Sequence, residues 1–204
     1  MKQMLLKPIT NLLALFIAII SSTIYLFADD LKVGLAAEPT SMDPHYQNLT
    51  INNSFASQVY NALVLQDVNQ NLIPGLATSW KPVDDRTWEF ALRKNVKFHN
   101  GATFTAADVI ASMERAANVP NSPSSFATFT KGKKFVVVDD FTIRVSTDKP
   151  YPFTPNDMSR ISIIDSAFLA ATTEDFNTGV ASHGTGPFTL TKWLPGDLIE
   201  IARN

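Results

Sequence analysis

Residues 87–118 constrain the fold most, because the apolar pattern changes there from period two to helical spacing within one short run. Trp88, Phe90 and Leu92 alternate with Thr87, Glu89, Ala91 and Arg93, the spacing of a strand with one buried face. Asn95 turns the chain, Val96–His99 reads as a second short strand, and Asn100-Gly101 is a strong turn signal. Thr105-Ala-Ala-Asp108 has the form of a capping box with Asp in place of Glu or Gln. It opens a helix to about Asn118, carried by Val109, Ile110, Met113 and Ala117. Strands and helices interleave, so the expected class is mixed α/β, of the α+β kind.

The remaining elements follow from the same signals. Leu31–Ala37 alternates like a strand, and Glu38-Pro-Thr-Ser-Met-Asp-Pro44 ends it in an extended loop. Asn53 can cap a helix from Ser54 to about Leu65, with Phe55, Val59 and Leu63 on one face. Turns are expected at Asp67–Asn71, Pro74-Gly75 and Asp84-Asp85. Phe135–Val138 and Thr142–Ser146 flank Asp139-Asp140 as a hairpin. Ile161–Thr172 reads as a strand leading into a short helix. His183–Pro187 is a tight glycine turn, and Phe188–Trp193 pairs with Leu198–Ala202 around Pro195-Gly196.

The N-terminus narrows the compartment. Lys2 and Lys7 form a basic start, Leu12–Ile20 is apolar, Ser21–Thr23 interrupts it, and Asp29-Asp30 switches the chain to polar. That is the form of a secretory signal peptide over residues 1–28, with cleavage expected after Ala28. An uncleaved anchor over Ile9–Ala28 is the alternative. Without the leader, 15 basic residues face 19 acidic ones, so no basic field supports a nucleic-acid partner. Cysteine is absent, which excludes a disulfide framework, thiolate zinc sites and a cysteine nucleophile, and suits a bacterial periplasm.

No catalytic constellation stands out. His45, His99 and His183 lack the short spacing of a metal pair, so no metal and no cofactor are expected. No Gly-x-Ser-x-Gly elbow occurs, and Asp84-Asp85 and Asp139-Asp140 sit where turns are expected. Gly184-Thr-Gly186-Pro187 lacks the third glycine of a dinucleotide loop. Its glycines read as positive-φ residues or as points of close chain approach. The chain is expected not to be an enzyme; an exported enzyme of unknown type is the competing class.

Leu76-Ala-Thr-Ser-Trp80, Thr87–Arg93, Val96-Lys-Phe-His-Asn-Gly101 and Phe104-Thr-Ala-Ala-Asp-Val109 form one ordered series. Glu38–Pro44 stands upstream of it and His183–Phe188 downstream. The series resembles the signature of family 5 extracellular solute-binding proteins, the peptide, dipeptide and nickel receptors of ABC importers. The resemblance implies a lobe like that of type II periplasmic binding proteins, which closes on a solute, most commonly a peptide, and delivers it to a permease in the inner membrane. It implies a monomer without catalysis. Residues 29–60 and 180–204 would belong to a main lobe, and 61–179 to an inserted β-rich subdomain with helices. Members continue past the equivalent of Asn204, so a second lobe is expected to be absent here, and a non-functional receptor fragment is a further alternative. By position, the first-lobe ligand contact falls on Gln47, Asn48, Leu49 and Thr50, which would pair with a peptide backbone like an added strand.

Overall fold

A computed structural model describes residues 31–204; the predicted signal peptide lies outside the described residues. The chain divides into a short unit ending at Ala36 and a compact unit from Ala37 to Asn204. In the first, residues 31–36 form no strand, contrary to the alternation of Leu31, Val33 and Leu35. A strand needs a neighbour for its backbone groups, and none of the described strands pairs with this stretch.

The compact unit is built on a four-stranded antiparallel sheet of order β3-β4-β6-β5, formed by β3 (Ala77–Pro82), β4 (Thr87–Leu92), β5 (Lys133–Asp139) and β6 (Thr142–Thr147). The register sets Trp80 opposite Phe90, Phe90 opposite Ile143, and Ile143 opposite Val137. Phe90, Leu92, Ile143 and Val145 are buried on one face. On the other face Glu89 lies between Lys81 and Arg144, at 3.3 and 2.8 Å. The period-two pattern read at 87–93 is therefore the middle of the sheet.

Helix α2 (Ala106–Asn118) covers the buried face. Its Val109 and Met113 join Phe98, Phe104, Phe126, Met158, Ile161 and Ile163 in the main core. The Asp108 carboxylate accepts from the Thr105 amide at 2.7 Å, so the capping signal works as expected. The same side chain accepts from the Ser166 amide at 2.8 Å, and Ser112 Oγ accepts from the Ile164 amide at 2.9 Å. Residues 161–168 are thereby fixed along α2. They form one bridge, Ser162 with Ala62, and a 3-10 turn at Ser166–Phe168, where a longer strand was expected. Val96–His99 likewise contributes only the bridge Lys97–Thr103. At 161–168 side chains of α2 take backbone groups that a strand partner would have used; at 96–99 loop carbonyls do, those of Ala102 and Gly184 accepting from the Phe98 and His99 amides at 2.9 Å each.

Helix α1 runs Thr50–Val59, earlier than the expected span of 54–65. Leu63 and Val64 leave it for a hairpin of β1 (Val64–Gln66) and β2 (Leu72–Pro74). Asp67 holds the hairpin turn, accepting from the amides of Asn69 and Asn71 at 2.8 Å each. The expected turn at Pro74-Gly75 is only a bend leading from β2 into β3. A small second core joins Ala56, Val59 and Tyr60 to Ile164, Phe176 and Ala181. It is completed by α5 (Thr173–Asn177), which follows α3 (Ala127–Thr130) and α4 (Thr154–Asp157) in the chain. The β7 (Phe188–Leu194) and β8 (Leu198–Arg203) hairpin pairs as expected, with Gly196 at φ 79° in its turn. Glu38 grips that turn, accepting from Trp193 Nε1 at 2.9 Å and from the Gly196 amide at 2.8 Å.

Candidate functional site

The four candidate residues sit where a buried segment surfaces. Ser41 through His45 are all buried, unusual for a loop with two charged or titratable groups. The compensation is a dense polar knot. The Asp43 carboxylate takes both Arg115 guanidinium nitrogens, at 2.8 and 2.7 Å, together with Thr173 Oγ1 at 2.9 Å and the His45 amide at 2.9 Å. Arg115 lies over the Phe176 ring at 4.2 Å and donates to the Ala171 carbonyl at 3.2 Å. Asn177 Oδ1 accepts from Ser41 Oγ and from the Met42 amide, at 2.7 and 3.0 Å.

His45 completes the knot. Nε2 donates to the Ser162 carbonyl at 2.7 Å, which leaves Nδ1 to accept from Arg115 Nη1 at 3.3 Å. These partners assign a neutral imidazole, because a proton on Nδ1 would face the guanidinium. Burial and the Arg115 charge together lower the His45 pKa to about 4, against the opposing pull of Asp43 and Ser162. Burial pushes Asp43 up, but the hydrogen bonds and charge of Arg115, with His45, outweigh it and hold the carboxyl below its usual range.

Beyond His45 the chain rises to the surface. Tyr46, Gln47 and Asn48 are half-buried, Leu49 and Thr50 exposed. Gln47 forms a parallel bridge with Ser124, and the Asn48 amide donates to the Ser124 carbonyl at 2.9 Å. Thr40 Oγ1 donates to Gln47 Oε1 at 2.6 Å, and Asn53 Nδ2 to Asn48 Oδ1 at 2.8 Å. Leu49 is the N-cap of α1 and has no side-chain acceptor to offer its first turn. The amides of Gln47, Thr50 and Ile51 have no hydrogen-bond partner among the described residues. The candidate segment is thus one short ledge, rigid from behind, with amide donors at its surface. A cleft of about 840 Å³ opens beside Tyr46 and Thr40, lined further by Glu114, Asn118, Thr172 and Glu174. None of residues 47–50 lines it.

The remaining sequence candidates are structural. Asp84 and Asp139 accept amides of their own turns, from Arg86 and Phe141, at 2.8 Å each. His99 Nε2 donates to the Gly186 carbonyl at 3.1 Å, and His183 lies 5.5 Å from the Phe168 ring. Among the described residues no three His, Asp or Glu side chains converge as metal ligands do. Gly184 and Gly186 do not have positive φ. They are glycines because the chain passes against the end of α1, where the Gly186 amide donates to the Val59 carbonyl at 2.8 Å. Arg115 is the residue that the sequence reading missed. The sequence shows only that Asp108, Ser112 and Arg115 share one face of the helix, at i, i+4 and i+7; it does not show the Asp43 carboxylate that buries Arg115.

The glutathione-binding protein GsiB of Pectobacterium atrosepticum is 28% identical over 177 residues, covering 86% of this chain and 34% of the relative. The protein of the same name from Escherichia coli O157:H7 is 27% identical, over 86% of this chain and 35% of its own length. The chain therefore spans about a third of the length of the curated relatives it matches. Among solved structures, NikZ from Campylobacter jejuni in complex with Ni(L-His) superposes with a TM-score of 0.68 at 26% identity, over 85% of this chain and 34% of that one. The Bacillus subtilis oligopeptide-binding protein AppA, in complex with a nonapeptide, gives 0.75 at 24% identity, over 86% and 36%, and shares the fold. The mixed α/β fold is that of type II periplasmic binding proteins over the third of their length that it covers. Residues 71–204 match the family described as bacterial extracellular solute-binding proteins, family 5 middle, and the chain belongs to that family.

Proposed function

We propose that this chain serves as the receptor of an ABC importer. In the periplasm it takes a peptide or peptide-like solute, hands it to an inner-membrane permease, and catalyses no reaction. The observation that carries this reading is the ledge at Gln47, Asn48, Leu49 and Thr50. Unused amides there suit the carbonyl and carboxylate oxygens of a peptide, giving affinity through the backbone and tolerance of side chains. The Asp43–Arg115–His45 knot supports it by fixing the ledge from behind before any ligand arrives. Glutathione, which the GsiB relatives are named for binding, is of this chemistry. In the same reading 29–60 and 180–204 form the main lobe and 61–179 an insertion. The bond between Gly186 and Val59, joining the two outer stretches, favours that division.

The test is NMR titration of the 15N-labelled chain with glutathione and with di- to pentapeptides up to millimolar concentration. Only a few backbone bonds are on offer, each worth about 0.5–1.5 kcal/mol, so weak binding is expected. The largest amide shifts should fall on Gln47 to Ile51. Shifts centred elsewhere, or none at millimolar peptide, would overturn the assignment of the ledge.

A further inference from the structure

The loop at residues 183–187 is held from two sides. On one side lies the end of α1, where the Gly186 amide donates to the Val59 carbonyl at 2.8 Å and Thr185 Oγ1 donates to Asn61 Oδ1 at 3.0 Å. On the other side lies His99. Its amide donates to the Gly184 carbonyl at 2.9 Å, and its ring Nε2 donates to the Gly186 carbonyl at 3.1 Å. One histidine thus ties both glycines of the loop. The loop leads directly into the β7–β8 hairpin, and Asn204, just after β8, adds a bond from Nδ2 to the same Gly186 carbonyl at 3.2 Å.

The His99 ring has one nitrogen to spare. Because Nε2 donates, Nδ1 carries the lone pair of the neutral ring, and Nδ1 is buried without a hydrogen-bond partner among the described residues. A proton added there would meet no acceptor, and a buried charged donor without one is costly. The titratable groups around the ring offer no balancing charge. His183, on the loop itself, opposes protonation, as does burial; the Gly186 carbonyl pulls the other way, and the balance holds the ring below its usual value. Asp165 is committed to the Asn100 side-chain amide at 2.8 Å and the Ala167 amide at 2.9 Å. Tyr60, against Gly184 at the end of α1, is kept neutral by burial. The ring accepts a proton by turning Nδ1 toward water, which withdraws Nε2 from the Gly186 carbonyl. We propose that His99 is a pH-sensitive latch: neutral, it clamps the 183–187 loop against α1, and protonated, it releases the loop and the hairpin beyond it. The unlatched state binds the proton more readily, so the latch is closed above about pH 6.5, the ordinary histidine value, and loosens as pH falls below it.

NMR on the 15N-labelled full chain between pH 7 and pH 5 tests the latch. Two quantities are followed: the titration of the His99 ring, and the exchange protection of the Gly186 amide after correction for the intrinsic pH dependence of exchange. His99 should titrate below the ordinary histidine value. Gly186 protection should fall by up to about tenfold per pH unit below 6.5, until the latched ring itself titrates. His99→Gln, whose side-chain amide can still donate to the Gly186 carbonyl but takes no proton, should remove that fall. His183→Gln should leave it in place. A ring that titrates at or above the ordinary value, or protection of Gly186 that ignores pH, overturns the proposal, and neither measurement depends on a variant folding. So does a fall that His99→Gln retains or that His183→Gln abolishes.

Discussion

Arg115 decides the character of the Ser41–His45 segment. A bidentate guanidinium lets a carboxylate be buried with its acceptor sites filled, and the same guanidinium holds His45 neutral. A pH dependence follows. An unfolded histidine titrates near 6.5, whereas His45 in the fold titrates at about 4. Between those values the unfolded chain binds the extra proton, so the stability tied to neutral His45 is fully present above pH 6.5. It is lost progressively as pH falls toward 4. Urea unfolding should show about 2 kcal/mol less stability at pH 5 than at pH 7 from this group. His45→Gln should flatten that difference while lowering stability at both pH values. An unchanged slope in the variant would mean that His45 is not the titrating group. The sequence displayed Asp43 and His45 as members of a polar loop, because nothing local in Met42-Asp-Pro-His45 says that a cation 70 residues downstream will meet them.

At the scale of elements, sequence signals held wherever the decisive interactions were local. The hairpin turns at Asp84-Asp85 and Asp139-Asp140 and the start of α2 were all readable, because each is set by side chains within four residues of the backbone they serve, and the Pro195-Gly196 turn was readable from its glycine, which takes a positive φ. The start of α1 was not. Asn53 looked like the natural cap, yet the helix begins at Thr50 behind an unhelpful Leu49. The preceding residues are pinned by the buried knot and by Ser124, and that tertiary anchoring outweighs a cap preference of about 1 kcal/mol. Asp108 shows the converse, a local cap recruited for tertiary work, since it also holds the Ser166 amide. Asp108→Ala should therefore cost about 2 kcal/mol in chemical unfolding, more than a cap alone, because the half-buried Ser166 amide also loses its acceptor. A loss near that of an ordinary exposed cap would show that the Ser166 bond contributes little.

At the scale of the whole molecule, a close backbone approach joins the loop at residues 183–187 to the end of α1. A β-carbon on Gly186 would lie 2.6 Å from the Gln58 carbonyl oxygen, and one on Gly184 would overlap the Val59 carbonyl. Neither contact can be relieved by a side-chain rotation, since the obstruction is backbone. Gly184→Ala should lower stability by about 1–3 kcal/mol or more, read as a clear fall in melting temperature. An unchanged melting temperature would mean that the loop can move off α1 without cost. The family signature and the mixed fold were legible in the sequence, because strand alternation, turn residues and the α2 cap are properties of short segments. The order of Gln47 to Thr50 at a helix start was not, nor were the burial of Arg115 and the reason for Gly184 and Gly186. Those depend on which distant segments touch, and a linear pattern of polar and apolar residues does not encode the partner of a buried charge or the distance between two backbones.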